Sequence, residues 1–192
     1  MSKISVLGRP WAPYAVALIG AGVVVLLAWM SRDQLNPVIS GREAPEFSAL
    51  DSQGISRSTH DYRGKVLLLN IWATWCETCK EEMPSMQRLY EQMKGEDFEI
   101  LAVSVDAPMG QADLLFGMSG GDLWAYADSL SLTFPILHDP FGQVARAFRI
   151  TGVPESFVID RNGVIFKKVA GPTAWDAAQN VELIRRLAGA EG

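Results

Sequence analysis

The sequence predicts an α/β fold, and three observations support this prediction. Two near-continuous apolar runs, 65–73 and 98–106, are typical of strands that are covered on both faces of a sheet. The first run is followed by Met83, Met86 and Leu89 at the spacing of an amphipathic helix. Near the end of the chain, Asn162-Gly163 separates two strand-like segments, which predicts a tight antiparallel turn.

The only two cysteines, Cys76 and Cys79, form a CxxC motif directly after the first apolar run. A strand that leads into a helix at this point would place Cys76 at the helix N-terminus. There the unpaired backbone N–H groups and the helix dipole favour a thiolate. Cys76 is therefore predicted to be the attacking sulfur. Cys79, one turn further along, is placed to close a disulfide or to resolve a mixed disulfide on Cys76.

Two other interpretations of the cysteine pair are weaker. A structural zinc site needs four ligands, and it would have to recruit both remote histidines, His60 and His138. A purely structural disulfide that closes so short a loop would restrict the unfolded chain very little. The sequence thus favours a redox-active pair, with no metal and no cofactor besides the Cys76–Cys79 disulfide itself.

Residues 70–84, with the sequence NIWATWCETCKEEMP, resemble a known active-site segment. It is that of the membrane-anchored, thioredoxin-like thiol:disulfide oxidoreductases of bacteria, in the TlpA/ResA and DsbE/CcmG groups. The resemblance extends over residues 43–190. It implies a thioredoxin fold with an N-terminal β-hairpin extension and a central insertion, and a catalytic domain on the periplasmic or outer side of the membrane.

The N-terminal segment, residues 1–31, is predicted to be a single transmembrane anchor. Residues 12–30 contain no charge and are about long enough to cross the hydrocarbon layer as a helix. Lys3 and Arg9 precede this span, and the positive-inside tendency places that end in the cytoplasm. A cleaved signal peptide is the alternative, but no A-x-A-like site follows the span. Residues 32–43 are then a linker, and residues 44–192 form the thioredoxin-like domain.

Charge and length limit the possible functions. The chain has 192 residues, of which 48% are apolar, which suffices for one well-buried core. Of its 17 bases, Lys3, Arg9 and Arg32 lie in the first 32 residues, which contain no acid, so the rest carries 14 bases against 22 acids. An acidic domain is a poor partner for nucleic acid, because phosphate binding needs a basic surface.

The remaining pattern predicts the other elements in order. Strand-like pieces at 47–50 and 55–58 flank a turn, and the helix after the CxxC extends over 76–94 with Pro84 inside it. Later elements are predicted as a broken helical stretch at 111–130, a strand at 134–139, a helix at 141–150, strands at 156–160 and 164–170, and a helix at 174–187. An apolar cluster in the broken stretch is predicted either to pack inside or to form a docking surface; it comprises Met109, Leu114, Leu115, Phe116, Met118 and Trp124.

Two acidic residues are candidates for tuning the thiol pKa values or handling protons. Glu82 lies one helical turn after Cys79, as in the ResA group, and is predicted to be either a pKa-tuning group or a solvated surface acid. Glu155 resembles the Pro-Glu of the cytochrome c maturation group and is a candidate general base for Cys79, or else an acid at a strand edge. Thioredoxin resembles this segment but has a buried aspartate at the position that matches Asn70. The proton acceptor that such an aspartate would provide is therefore absent from this sequence.

The second signature of the resemblance is Val153-Pro154. In thioredoxin-like proteins a cis proline lies opposite the CxxC, and the backbone of the preceding residue can pair with an extended substrate segment. The residues predicted to contact the substrate are Trp75, Glu77, Thr78, Val153 and Pro154.

The resemblance implies a reductant that acts on disulfides of extracytoplasmic proteins. Its substrates would be the haem-binding cysteines of apocytochrome c or the cysteines of copper chaperones and oxidase copper sites. A transmembrane thiol reductant would supply the electrons, and the protein would lie in the bacterial inner membrane. Two alternatives stay open: an oxidant that inserts disulfides, and an anchored binding module without catalysis. A peroxidase is disfavoured because Thr74 lies two residues before Cys76, and the peroxidase motif requires three.

Overall fold

The computed structural model describes residues 12–30 and 40–189, and the chain divides into two compact units, Met1–Pro37 and Val38–Gly192. The first unit contains helix α1, Ala12–Met30. Across the described ranges, no helix combines the length and apolar character needed to cross a membrane. The predicted cytoplasmic residues Lys3 and Arg9, and most of the predicted linker, lie outside the described residues.

The second unit is built on a mixed sheet of seven strands in the order β2-β1-β5-β4-β3-β6-β7. Its strands are β1 Ser48–Leu50, β2 Ser56–Ser58, β3 Val66–Trp72, β4 Phe98–Ser104, β5 Ile136–His138, β6 Glu155–Ile159 and β7 Ile165–Ala170. Its helices are α2 Glu77–Gln92, α3 Leu123–Ser129, α4 Gln143–Ala147 and α5 Ala178–Gly189, with a short 3-10 helix at Thr59–Tyr62.

Strand β3 is the centre of the sheet, and it leads directly to the cysteines. All of its residues are buried, as the apolar run predicts for a strand covered on both faces. It pairs in parallel with β4 and antiparallel with β6. In the second pairing, Ile71 lies opposite Glu155, the first residue of β6. The C-terminal end of β3 and the N-terminal end of β6 therefore lie side by side at the same end of the sheet.

The N-terminal hairpin is confirmed and becomes part of the same sheet. β1 and β2 pair antiparallel, and Leu50 of β1 also pairs with His138 of β5. The turn between them is held by the carboxylate of Asp51, which accepts the backbone N–H groups of Gln53 and Ile55 at 2.9 Å each. This is the local hydrogen bonding that makes aspartate a turn residue.

The folded unit begins earlier than the predicted boundary at residue 44. The backbone N–H of Gly41 donates to the carbonyl of Ile165 at 2.7 Å, and the N–H of Ile165 donates to the carbonyl of Arg42 at 2.8 Å. The last residues of the predicted linker thus pair with the start of β7. Backbone pairing of this kind does not depend on the pattern of side chains. It could therefore not be predicted from this polar stretch of sequence.

All four predicted helices of this unit are shorter than their patterns suggested, and α2 spans residues 77–92 where 76–94 was predicted. Residues 111–122 are not helical, because the side chain of Asp113 accepts backbone N–H groups that a helix would use. α4 is restricted to Gln143–Ala147, since Gly142 before it adopts a left-handed conformation with φ of 63°. α5 begins at Ala178, four residues later than predicted, and the bulky Trp175 before it is fully buried.

Candidate active site

The two cysteines lie at the junction of β3 and α2, and they form a disulfide with a Cα–Cα distance of 5.3 Å. Cys76 is the N-cap residue of α2, and its Sγ accepts the backbone N–H of Cys79 at 3.2 Å. Both residues are buried, Cys79 more completely than Cys76. The predicted position of Cys76 at the helix N-terminus is thus the observed one, and there the helix dipole favours its thiolate.

The residues between the cysteines face solvent. Glu77 and Thr78 are exposed, and the Thr78 hydroxyl lies 3.6 Å from the sulfur of Cys76. The carboxylate of Glu77 forms an ion pair with Lys80 at 3.1 Å. Lys80 therefore offsets part of the negative charge that Glu77 brings close to the thiolate.

Trp75 directly precedes Cys76 in the chain, and the Val153-Pro154 pair lies at the same end of the sheet. Trp75 is half-buried and packs edge-on against Phe116, with 5.5 Å between the ring centroids. The Val153–Pro154 peptide bond is cis, in agreement with the resemblance. Because Glu155 pairs with Ile71, Pro154 lies at the same end of the sheet as the residues that lead to Cys76.

Glu82 is buried, so its interpretation as a solvated surface acid is wrong. Only 3% of its surface is exposed, and its carboxylate accepts the indole N–H of Trp175. The face of α2 that carries Glu82 is covered by the segment before α5. Burial raises the pKa of Glu82 to about 7, and hydrogen bonds from neighbouring groups offset this rise only in part.

Asn70 lies close to Glu82 beneath the cysteines. Its amide nitrogen donates to the hydroxyl of Ser156 at 2.9 Å, and its proximity lowers the pKa of Glu82 somewhat. Among the described residues, Oδ1 of Asn70 and Oε2 of Glu82 are buried without a hydrogen-bond partner. A proton on Glu82 would relieve the cost of burying two acceptors together.

Glu155 is also buried, and it does not lie at a strand edge. β6 is flanked by β3 and β7, and 3% of the surface of Glu155 is exposed. Its carboxylate lies 2.8 Å from the ammonium group of Lys168 and accepts the backbone N–H and the hydroxyl of Thr151. These contacts fix the position of the carboxyl group, and a role as general base for Cys79 stays a prediction.

The two histidines are separated in the structure. His138 is half-buried, and its Nε2 lies 2.7 Å from the backbone carbonyl of Asp106, whereas His60 is exposed. In residues 12–30 and 40–189, no three side chains of the metal-ligating types are clustered for an ion.

Sequence reasoning missed two buried groups near the cysteines. Trp175 holds Glu82, but it lies in a short segment without periodicity, so no pattern pointed to it. Asp106 ends the apolar run of β4 and binds the backbone of Thr74, two residues before Cys76. An acid at the end of a buried strand was the available signal, and its partner could not be read from the sequence.

Comparisons with known proteins agree with this geometry. The sequence model of the AhpC/TSA family matches residues 40–168. The thiol-disulfide oxidoreductase ResA of Geobacillus thermodenitrificans is 37% identical over 149 residues, which cover 77% of this chain and 79% of that protein. ResA of Bacillus subtilis is 31% identical over 156 residues, covering 78% and 81% of the two chains.

Among solved structures, a protein of Chlorobium tepidum provisionally described as the thiol:disulfide interchange protein DsbE superposes with a TM-score of 0.67. It is 29% identical, and the match covers 78% of this chain and 98% of that one. The family match spans most of the chain, and the relatives align over about four-fifths of their own length. This chain therefore belongs to the AhpC/TSA family, as a thioredoxin-like thiol:disulfide oxidoreductase of the ResA and DsbE type.

Proposed function

We propose that the protein is an anchored reductant of disulfides in extracytoplasmic proteins. The observation that carries the direction is the buried carboxyl of Glu82, one helical turn beyond Cys79 on the same face of α2. When ionised, it disfavours a second negative charge on the cysteines and raises their pKa values. Since a stabilised thiolate makes a strong oxidant, a disfavoured thiolate makes the couple more reducing.

The reaction would proceed through a mixed disulfide. The thiolate of Cys76 attacks one sulfur of the substrate disulfide, which forms a bond between the two proteins and releases one substrate thiolate. Cys79, after losing its proton, then attacks the sulfur of Cys76. This closes the Cys76–Cys79 disulfide and releases the second substrate thiolate. Two electrons pass to the substrate, and the protein ends oxidised.

The residues around the cysteines have distinct proposed roles. An extended segment of the substrate pairs with the backbone of Val153 and lies against Pro154. Trp75, Glu77 and Thr78 contact the residues that flank the target cysteine. Exposure of Glu77 and Thr78, and the half-exposed ring of Trp75, support this assignment.

Residues 1–31 serve as the anchor in this proposal, with the N-terminus in the cytoplasm and the catalytic domain on the periplasmic side of the bacterial inner membrane. The uncharged stretch of residues 12–30 and the two preceding cations support it. Cell fractionation of the full-length chain, with protease added from the periplasmic side, tests the arrangement. Without protease, the full-length chain should sediment with membranes, and protease added from the periplasmic side should cleave the domain.

The proposed substrates are the haem-binding cysteines of apocytochrome c, or cysteines of copper chaperones and oxidase copper sites. The electron donor is a transmembrane thiol reductant, since this chain has no third cysteine that could reduce the pair. The resemblance of the active-site segment to that of the maturation groups supports these partners. A Cys79→Ser variant would trap the mixed disulfide, and mass spectrometry of the trapped species would identify the substrate.

The midpoint potential of the Cys76/Cys79 couple tests the direction. The full-length protein is equilibrated in thiol/disulfide buffers, and the oxidised fraction is measured after acid quenching and thiol labelling. A value at or below that of thioredoxin, about −270 mV, is expected for a reductant. A value near that of a strong oxidant, about −120 mV, would make disulfide insertion the function.

A further inference from the structure

A buried hydrogen-bonded cluster fixes the chain just before the active-site cysteines. Asp106 is 1% exposed, and its carboxylate accepts the backbone N–H of Thr74 through both oxygens, at 2.9 and 3.2 Å. The hydroxyl of Thr74 donates to the same carboxylate at 2.8 Å, and that of Ser104 donates at 2.6 Å. The segment two residues before Cys76 is therefore held by several charge-assisted bonds.

The hydroxyl of Thr74 has a second partner on a distant part of the chain. It accepts the backbone N–H of Gly121 at 2.6 Å. The neighbouring Gly120 lies so close to Asp106 that an added Cβ would come within 2.5 Å of its Oδ1. We call residues 107–122 the insertion loop. The C-terminal end of this loop is thus hydrogen-bonded to the active-site segment through Thr74.

The insertion loop is braced internally. The carboxylate of Asp113 accepts the backbone N–H groups of Leu115, Phe116 and Met118 at 2.6 to 2.9 Å. Ala112 and Ser119 form an antiparallel bridge across the loop. Because these bonds lie within the loop, it should keep its own shape if the fastening to Thr74 is lost.

The loop brings apolar surface to the active site. Phe116 packs against Trp75, the residue before Cys76. Met109 and Leu114 are each about three-quarters exposed, at 76% and 75%, and Met118 is 45% exposed. Leu115 is also exposed, at 36%, so the prediction that this cluster packs inside is wrong for Met109, Leu114, Leu115 and Met118. Their exposure close in sequence to Phe116 gives the loop an apolar outer surface.

We propose that Thr74 is a positioning residue that determines specificity for protein disulfides. With Asp106, it holds the insertion loop so that Phe116 and Trp75 form one surface for an apolar side chain beside the target cysteine of a polypeptide. The sulfur chemistry does not need this surface, because the backbone of Thr74 stays bound to Asp106 when its hydroxyl is removed. The inference rests on the exchange reaction at Cys76 and is independent of its direction and of the anchor.

The test compares Thr74→Val, which removes the hydroxyl, with Thr74→Ser, which keeps it. Full-length protein, kept reduced during turnover by dithiothreitol whose own rate is subtracted, is assayed on insulin, a protein disulfide, and on bis(2-hydroxyethyl) disulfide, which is too small to reach the loop. Thr74→Val should raise KM for insulin about tenfold, the order expected from losing a buried hydrogen bond. Its kcat, and the rate on the small disulfide, should stay within about twofold. Thr74→Ser should match the wild type.

A second variant tests the inference from the loop side. Gly120→Ala keeps the Thr74 hydroxyl but forces the loop away from Asp106, so it should show the same rise in KM for insulin alone. Equal losses on both substrates, or no change on either in Thr74→Val, would overturn the proposal. The mixed disulfide is common to both directions, so the same split is expected when oxidised protein acts on reduced ribonuclease. If the wild-type protein were active only as an oxidant, the proposed function would be contradicted. The role of Thr74 could still be tested on reduced ribonuclease.

Discussion

At the scale of single residues, the buried acids explain most of the chemistry around the disulfide. Burial of Glu82 outweighs the hydrogen bonds from Trp175 and its other neighbours, so its pKa is raised to about 7. Glu155 differs in its partners, because its carboxylate lies 2.8 Å from the ammonium group of Lys168 and accepts two hydrogen bonds from Thr151. The two buried carboxyl groups therefore have different surroundings in the fold.

The raised pKa of Glu82 predicts how stability depends on pH. The folded protein keeps this proton up to about pH 7, whereas the unfolded chain releases it near the ordinary value of 4.5. Between these values the folded state binds more protons, so the stability due to this group is full below pH 4.5 and is lost as the pH rises to about 7. At about 1.4 kcal/mol per unit, the loss is on the order of 3 kcal/mol.

Urea unfolding of the oxidised protein between pH 5 and 8 measures this loss. The neutral variant Glu82→Gln should lack it, and the difference between the two proteins should therefore grow with pH and level off above pH 7. A constant difference across this range would show that Glu82 is ionised throughout. The exposed Glu81 next to it offers a matched control, since Glu81→Gln should leave the pH dependence of the wild type unchanged.

At the scale of elements, side chains that accept backbone N–H groups decide where helices begin. Asp122 is the N-cap of α3, and its carboxylate accepts the N–H groups of Trp124 and Ala125 at 3.1 and 3.0 Å. α3 has only seven residues, so few internal hydrogen bonds support it. This helix follows the insertion loop directly and holds the loop's C-terminal end.

Replacement of the cap should destabilise the protein measurably. Asp122→Ala removes the acceptor and is expected to cost about 1 kcal/mol of unfolding free energy. Asp122→Asn keeps an oxygen acceptor at the same position and should cost only a few tenths. Denaturant midpoints of the three proteins at one pH provide the comparison. Equal losses in the two variants would mean that charge near the helix dipole, and not the cap bond, is what stabilises α3.

Comparison of these elements with the sequence patterns shows which parts of the fold and of the site could be predicted. The covered strands β3 and β4, the hairpin β6–β7 and the helix after the CxxC were all predicted, because apolar spacing reports directly on burial. The helix predicted within 111–122 was wrong, since its apolar residues lie in a turn closed by Asp113. The burial of Glu82 was undecided because it depends on Trp175, ninety-three residues further along the chain. Contacts at such separation leave no local pattern.

At the scale of the whole molecule, the disulfide and the fold are thermodynamically linked. If the couple is more reducing than the same cysteines in an unfolded chain, closing the disulfide must stabilise the folded state. We expect the oxidised protein to unfold at higher denaturant concentration than the reduced protein. The comparison uses full-length protein with and without excess dithiothreitol. A less stable oxidised form is the signature of an oxidant, whose reduced state is the favoured one.

The pairing of Gly41 and Arg42 with Ile165 places the first described residues of the catalytic unit beside the start of β7. The chain joins this unit beside the turn that follows β6, since Ala44 also donates to the carbonyl of Gly163. Pro154 directly precedes Glu155, the first residue of β6, and this strand spans roughly 15 Å. The incoming backbone at residues 41–44 and Pro154 thus lie at opposite ends of β6. A partner that binds beside Pro154 therefore approaches the end of β6 that lies away from residues 41–44.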